Sequence, residues 1–168
     1  MSNKKTKKLA LLGLCVSLAM VLSYLELLLP PLYSAIPGIK MGLPNIVIIF
    51  TLYRLGLKEA IAVSFARILA VSLLFGGFMA FAYSVAGATL SLAAMAILKQ
   101  MQFFSKVGVS VVGAVFHNLG QIAVAIFILE RIEISYYMAI LTITGALAGV
   151  LVGFAAIALL KLLEKIKI

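Results

Sequence analysis

Aspartate does not occur in this chain, and the acidic residues number five, every one a glutamate; there is one histidine and one cysteine. Each shortage excludes a chemistry. A single cysteine, Cys15, allows no disulfide framework, and inside an apolar run it reads as a small packing residue rather than a reactive thiol. One histidine, one cysteine and no aspartate leave no ligand spacing for a metal ion. The histidine has no accompanying nucleophile motif, so a hydrolase is unsupported. No G-x-x-x-x-G-K-[ST] loop is present, so the chain does not hydrolyse ATP by itself. Charge is scarce as well: 11% of residues are charged, against about 25% in soluble domains. What fills the chain instead is apolar, 65% of 168 residues. A soluble globule of that size cannot hide so much apolar side chain, and disordered chains are poor in it. The remaining class is an all-α integral membrane protein, expected to form a single transmembrane domain over residues 1–168.

The runs of hydrophobicity give the organisation. A first span covers Leu9–Leu29, and at about 20 residues it is longer than a signal-peptide core and lacks a small-x-small cleavage site, so it reads as retained. Pro30, Pro31 and Pro37 mark an irregular loop up to Lys40. Pro44 opens a short second helix to Leu55, a first-turn position that tolerates a missing N–H. A third span covers Ala60–Phe75, Gly76-Gly77 makes a tight turn, and further spans cover Phe78–Leu98, Val107–Leu129 and Tyr136–Leu163. The runs are too long and continuous for membrane strands. The expectation is a six-transmembrane-helix bundle.

The formal net charge of +9 does not point to nucleic acid, because the basic residues sit at the chain ends and in the gaps between apolar runs rather than along one face. With six spans, Lys4, Lys5, Lys7, Lys8, Arg54, Lys58, Lys99, Lys106, Lys161, Lys165 and Lys167 fall on one side. Lys40 and Arg131 fall on the other. Positive charge marks the cytoplasmic side, so both termini are expected to be cytoplasmic, in a multi-pass protein of the cell membrane.

Arg67 falls near the middle of the third span. A charge there costs about 3 kcal/mol even on a lenient insertion scale. It must face the bundle interior, a wet cavity or a partner. One reading is a structural ion pair with Glu26 of the first span. The other is an anion-binding arginine beneath an outward-facing pocket, since the planar guanidinium gives paired hydrogen bonds to carboxylate or phosphate. Both can hold. In the fifth span His117 and Gln121 share a helix face, with Asn118 about 100° round. This cluster must be satisfied by another helix or by a ligand. Lys40 reads as a cap for an anionic ligand or as a solvated loop charge. Asn45 is an amide at the end of the second span. Tyr83 and Ser84 are candidates for a pocket wall or for ordinary packing.

Small residues at four-residue spacing mark close helix contacts in lipid. Gly145, Gly149 and Gly153 form such a stripe in the sixth span and are expected to pack within the bundle. Gly13 with Ser17, and Cys15 with Ala19 and Ser23, form two in the first span that could meet another subunit.

The segments Pro37-Gly38-Ile39-Lys40-x-Gly42-Leu43, Arg54 with Gly56-Leu57-Lys58-Glu59-Ala60, Arg67, and Gly113-Ala114-x-x-His117-Asn118-x-Gly120-Gln121 together resemble the Gx transporter family, also labelled heptaprenyl diphosphate synthase component I. The resemblance runs in order over nearly the whole chain. That family is similar to the substrate-binding S components of energy-coupling-factor (ECF) vitamin transporters. The resemblance implies a ligand site near the outer face, a first-helix contact of the Ala-x-x-x-Ala type with a transmembrane coupling subunit, and separate ATPases. In this chain Leu14 stands four residues after Ala10, and the nearest substitutes are Gly13-x-x-x-Ser17 and Cys15-x-x-x-Ala19. The synthase label conflicts with the residues, because enzymes that act on prenyl diphosphates commonly hold Mg²⁺ with carboxylate clusters.

The expected function is therefore a non-enzymatic, S-component-like binding subunit for uptake of a small vitamin-like or isoprenoid/quinone-precursor molecule, anionic or polar, energised by separate ATPase partners and without cofactor or metal. Its site would comprise Glu26, Lys40, Asn45, Arg67, Tyr83, His117, Asn118 and Gln121. The alternative is a membrane accessory subunit of a prenyl-diphosphate, quinone or flavin-linked electron-transfer system.

Overall fold

A computed structural model describes residues 2–28 and 42–164. The helices are α1 (Ser2–Leu28), α2 (Asn45–Arg54), α3 (Leu57–Val71), α4 (Gly77–Met101), α5 (Lys106–Leu129) and α6 (Met138–Leu162). A π-helical turn, Ser72–Gly76, joins α3 to α4, and a 3₁₀ segment, Ile132–Tyr137, leads into α6. No strand occurs among the described residues. Four helical stretches are long and apolar enough to cross a membrane: Lys4–Leu28, Leu57–Met101, Lys106–Leu129 and Ile132–Leu162. Many large apolar side chains on their outer faces, among them Leu73, Phe78, Phe127 and Leu151, are exposed. This outward apolarity fits a membrane protein.

The structure departs from the expected six spans in two respects: α2, at 10 residues, is too short to be among the helices long enough to cross, and the third and fourth spans are not separate. The third and fourth fall in one helically continuous stretch of 45 residues. The expected turn at Gly76-Gly77 is a change of helical winding followed by Gly77 at φ 68. That positive φ is open to glycine at little steric cost. The two arms lie antiparallel: one cleft of about 400 Å³ is lined by Leu57 and Ile61 beside Ala93 and Ala96, and by Ile68 beside Val85.

One end of the bundle gathers cations. Lys8 pairs with Glu59, and Lys99 Nζ donates to Leu52 O at 2.6 Å, at the C-terminus of α2, where a cation meets the negative end of the helix dipole. Lys99 and Lys106 also stand over the Tyr53 ring, 5.2 and 5.7 Å from its centroid. Arg54 Nη2 donates to Glu164 O at 3.4 Å. The lower part of α1 and the end of α6 therefore both reach the α2–α3 junction.

α4, α5 and α6 are packed backbone to backbone. A Cβ added at Gly149 would lie 2.6 Å from Val111 Cα, and one at Gly120 would lie 2.6 Å from Ala86 O. Gly145, Gly149 and Gly153 thus face α5 inside the bundle. α2 is short, and Val47, Ile48, Ile49, Phe50 and Leu52 are all buried. A helix apolar all round belongs inside, and α2 packs on α1, α3 and α6.

Candidate functional site

The short α2 sets the level of the site. Asn45 stands about nine residues, or about 14 Å, above Arg54; Arg67 is about 15 Å above Leu57; His117 is about 17 Å above Lys106. These three starting points share the cation-rich end, so the three polar residues share a layer. It lies about halfway along α5, the helix of 24 residues that carries His117.

Backbone that is not helical at that depth must be satisfied within the protein. Ahead of α2, Gly42 adopts φ 89, and its N–H donates to Glu26 Oε1 of α1. Leu43 N–H donates to the same oxygen at 3.4 Å. Asn45, Ile46 and Val47 N–H donate to the carbonyls of Gly42, Leu43 and Pro44 at 2.9, 3.1 and 3.0 Å. Glu26 therefore caps α2 from a neighbouring helix, and its negative charge sits at the positive end of the α2 dipole.

Arg67 is 4% exposed. Its Nη1 donates to Ser23 Oγ at 3.4 Å, while Nε and Nη2 are buried without a hydrogen-bond partner among the described residues. The expected Glu26–Arg67 pair does not appear as a hydrogen-bonded bridge among the described residues: Arg67 bonds to Ser23, and Glu26 Oε1 accepts from the backbone ahead of α2.

His117 closes the layer from α5. It is buried, and it packs on Gly87 of α4, where an added Cβ would lie 2.9 Å from Cε1 and 3.0 Å from Nδ1. A Cβ added at Gly42 would lie 2.8 Å from Asn45 Nδ2 and 4.0 Å from His117 Cδ2. Asn45, Gly42 and His117 are therefore neighbours. Gln121, fully buried, lies one turn along α5 from His117.

Other expected site residues go elsewhere. Asn118 Nδ2 donates to Leu141 O of α6 at 2.7 Å, and a Cβ on Gly145 would lie 2.5 Å from that same Nδ2. It is a helix–helix bond, which takes up its polar end. Tyr83, 2% exposed, packs with Ile122, Ala125, Ile134 and Leu141 in an apolar cluster. Glu26 Oε1 accepts from Gly42 and Leu43 ahead of α2. Lys40 lies outside the described residues. Of the two stripes on α1, Cys15 and Ala19 are buried in the main core, so they cannot meet another subunit. Gly13 and Ser17 are exposed, and a Cβ on Gly13 would meet nothing within 4 Å.

Two serines carry more than the sequence revealed. Ser23 touches Arg67, and Ser110 Oγ donates to Gly149 O at 2.7 Å across α5 and α6. The signal for Ser23 was its place three residues before Glu26, on the same side of α1.

The family model described as heptaprenyl diphosphate synthase component I matches residues 15–159. No curated protein and no solved structure matches the chain.

Proposed function

This chain belongs to the heptaprenyl diphosphate synthase component I family, and from that premise and the buried polar layer we propose that it is the membrane-embedded binding subunit of an uptake system. It takes a small anionic or polar molecule, and ATPase partners supply the energy. The proposed architecture is that of an ECF S component: six crossings of the cell membrane, counting α2 and the two arms of the 45-residue stretch separately, with both termini cytoplasmic. The gathering of Lys8, Arg54, Lys99 and Lys106 at one end supports that orientation.

The observation that carries the reading is the Arg67 guanidinium. It is buried in that layer with two nitrogens that no described residue satisfies. Such an arrangement costs several kcal/mol unless a ligand completes it. His117, Gln121 and Asn45 stand in or next to the same layer, and Glu26 holds the end of α2 in place. The outer face of α1 around Gly13 and Ser17, flanked by exposed Leu14, Leu18 and Val21, is the surface for a coupling subunit.

The test begins with protein drawn from its native membrane and mass spectrometry of the small molecules and proteins that come with it. ATPase subunits and a bound small molecule are expected. Affinity for that molecule is then measured in Arg67→Ala and Gln121→Ala. Unchanged affinity in both overturns the site.

A second reading, favoured by the family's own description, is an accessory subunit that anchors a separate prenyl-diphosphate synthase. It gains support if a synthase co-purifies in place of ATPases.

A further inference from the structure

The seam between α3 and α4 is an apolar furrow made of two clefts, of about 400 and 440 Å³. On the α3 arm it is lined by Leu57, Ile61, Ser64 and Ile68, then by Ser72. On α4 it is lined by Gly77 and Phe81, then by Val85, Ala88, Leu92 and Ala96. Steps of three and four residues keep each series on one helix face, so the clefts follow one another along the seam. Ser64, Ile68, Ala88 and Leu92 form a buried floor, and Leu57, Ile61 and Phe65 an exposed rim. The furrow therefore opens away from the core of the bundle.

The arms are not free to close over it. α3 is held to α1 and α2 by Ala60 and Val63 in the main core and by the Lys8–Glu59 pair. α4 is held to α5, where Gly87 meets His117 and Gly113 meets Met95 too closely for an added Cβ. An empty seam forfeits dispersion contacts on both walls, and packing of that kind is what holds helices together in lipid.

Width and charge narrow the occupant. The arms touch and are joined through the turn ahead of Gly77. Helices in contact stand about 8–10 Å apart, less than the about 10–12 Å that an intruding helix needs. A hydrocarbon chain fits where a helix does not. At one end of the furrow, from Leu69 to Phe81, the sequence carries no charge. The other end, at Leu57 and Ala96, lies among the cations, with exposed Lys58 next to Leu57 and Lys99 one turn beyond Ala96. Lysines at that level attract negative lipid head groups.

We infer that the furrow between α3 and α4 holds one chain of an anionic phospholipid, with its head group beside Lys58. The inference stands apart from the binding-subunit reading, since none of Asn45, Arg67, His117 and Gln121 lines the furrow.

Native mass spectrometry of the full chain tests it, with protein released from nanodiscs of phosphatidylglycerol and phosphatidylcholine in equal amounts and with identical chains. The parent should retain one phosphatidylglycerol with about fivefold preference, the effect of a single lysine near an anionic head group. Thr89 and Ala93 are exposed positions on α4 that line the furrow. Thr89→Phe and Ala93→Phe should each lose the retained lipid, whereas Leu151→Phe, on the exposed face of α6, should keep it. Lys58→Glu should keep a lipid and lose the preference. Equal retention of the two lipids by the parent overturns the inference, and so does an unchanged preference in Lys58→Glu. Retention unchanged in both furrow variants places the lipid elsewhere and overturns it too. A polypeptide that co-purifies from native membranes with the parent and is lost from Ala93→Phe gives the furrow to a partner helix and overturns the lipid.

Discussion

At the scale of single residues, the polar side chains of the bundle divide by what they already hold. Asn118 holds Leu141 O at 2.7 Å, and among the described residues Arg67 holds Ser23 alone, with Nε and Nη2 buried and unpaired. Substitution separates the two roles. Asn118→Ala should lower the stability of the detergent-solubilised protein by about 0.5–2 kcal/mol, the range for hydrogen bonds between membrane helices. It should leave the affinity for the co-purified ligand unchanged. Arg67→Ala should do the reverse in affinity, weakening it roughly 10–100-fold, as expected when a charge-assisted pair worth about 1.5–3 kcal/mol is lost. Thermal unfolding and equilibrium binding on the same preparations check both. Reading the sequence alone could find these residues, because a polar side chain in an apolar span stands out. It could not assign them. His117 and Asn118 are adjacent in the chain, yet one packs on α4 and the other bonds to α6, and only the neighbours decide which way each turns. For Tyr83 the sequence left a pocket wall and ordinary packing both open, and its neighbours Ile122 and Leu141 appear only in the fold.

At the scale of elements, the informative feature is a helix that stops halfway. Pro44 signalled the start of α2 in the sequence, and the helix begins at Asn45. The reason it can begin there lies in Glu26, which accepts from Gly42 sixteen residues further along the chain. Glu26→Ala leaves the Gly42 and Leu43 N–H groups without their acceptor. The expected loss is about 1–3 kcal/mol for each buried donor stranded, with Glu26→Gln recovering part of it because its amide oxygen still accepts. Thermal midpoints of the three proteins test this order, and equal midpoints for Glu26→Ala and the parent would refute the cap. The glycine stripes make a second contrast. At Gly149 a new Cβ meets the Val111 backbone at 2.6 Å, which no rotamer change relieves. Gly149→Val should therefore destabilise by about 1–3 kcal/mol or more, the usual cost of overpacking. Gly13→Ala should change stability by about 0.5 kcal/mol or less, and should reduce recovery of the coupling partner if the outer face of α1 is where that partner sits. Spacing alone made the stripes of α1 and α6 look alike. What separates them is that α6 has α5 against it, whereas Gly13 has no neighbour.

At the scale of the whole molecule, apolar length and the placement of charge are the two quantities that the sequence encodes most directly. The helical stretches long enough to cross follow from the first. The cation-rich end, where Lys8, Arg54, Lys99 and Lys106 meet Glu59, Leu52, Tyr53 and Glu164, follows from the second. Less legible was the join between α3 and α4. A glycine pair announces a turn, but not that helical winding continues through Ser72–Gly76 up to it. The orientation of this whole arrangement is open to a direct measurement, because the chain has a single cysteine, buried Cys15. In a Cys15→Ser background, Lys58→Cys places one thiol at the cation-rich end, and Glu133→Cys places one on the 3₁₀ segment that precedes α6. A membrane-impermeant maleimide applied to intact cells should label the thiol at position 133. It should reach the thiol at position 58 only after the membrane is opened. The opposite pattern would put the lysine-rich end outside, against the charge rule. It would also turn the Gly42 side of the polar layer toward the cytoplasm, the side where a synthase rather than an uptake system operates.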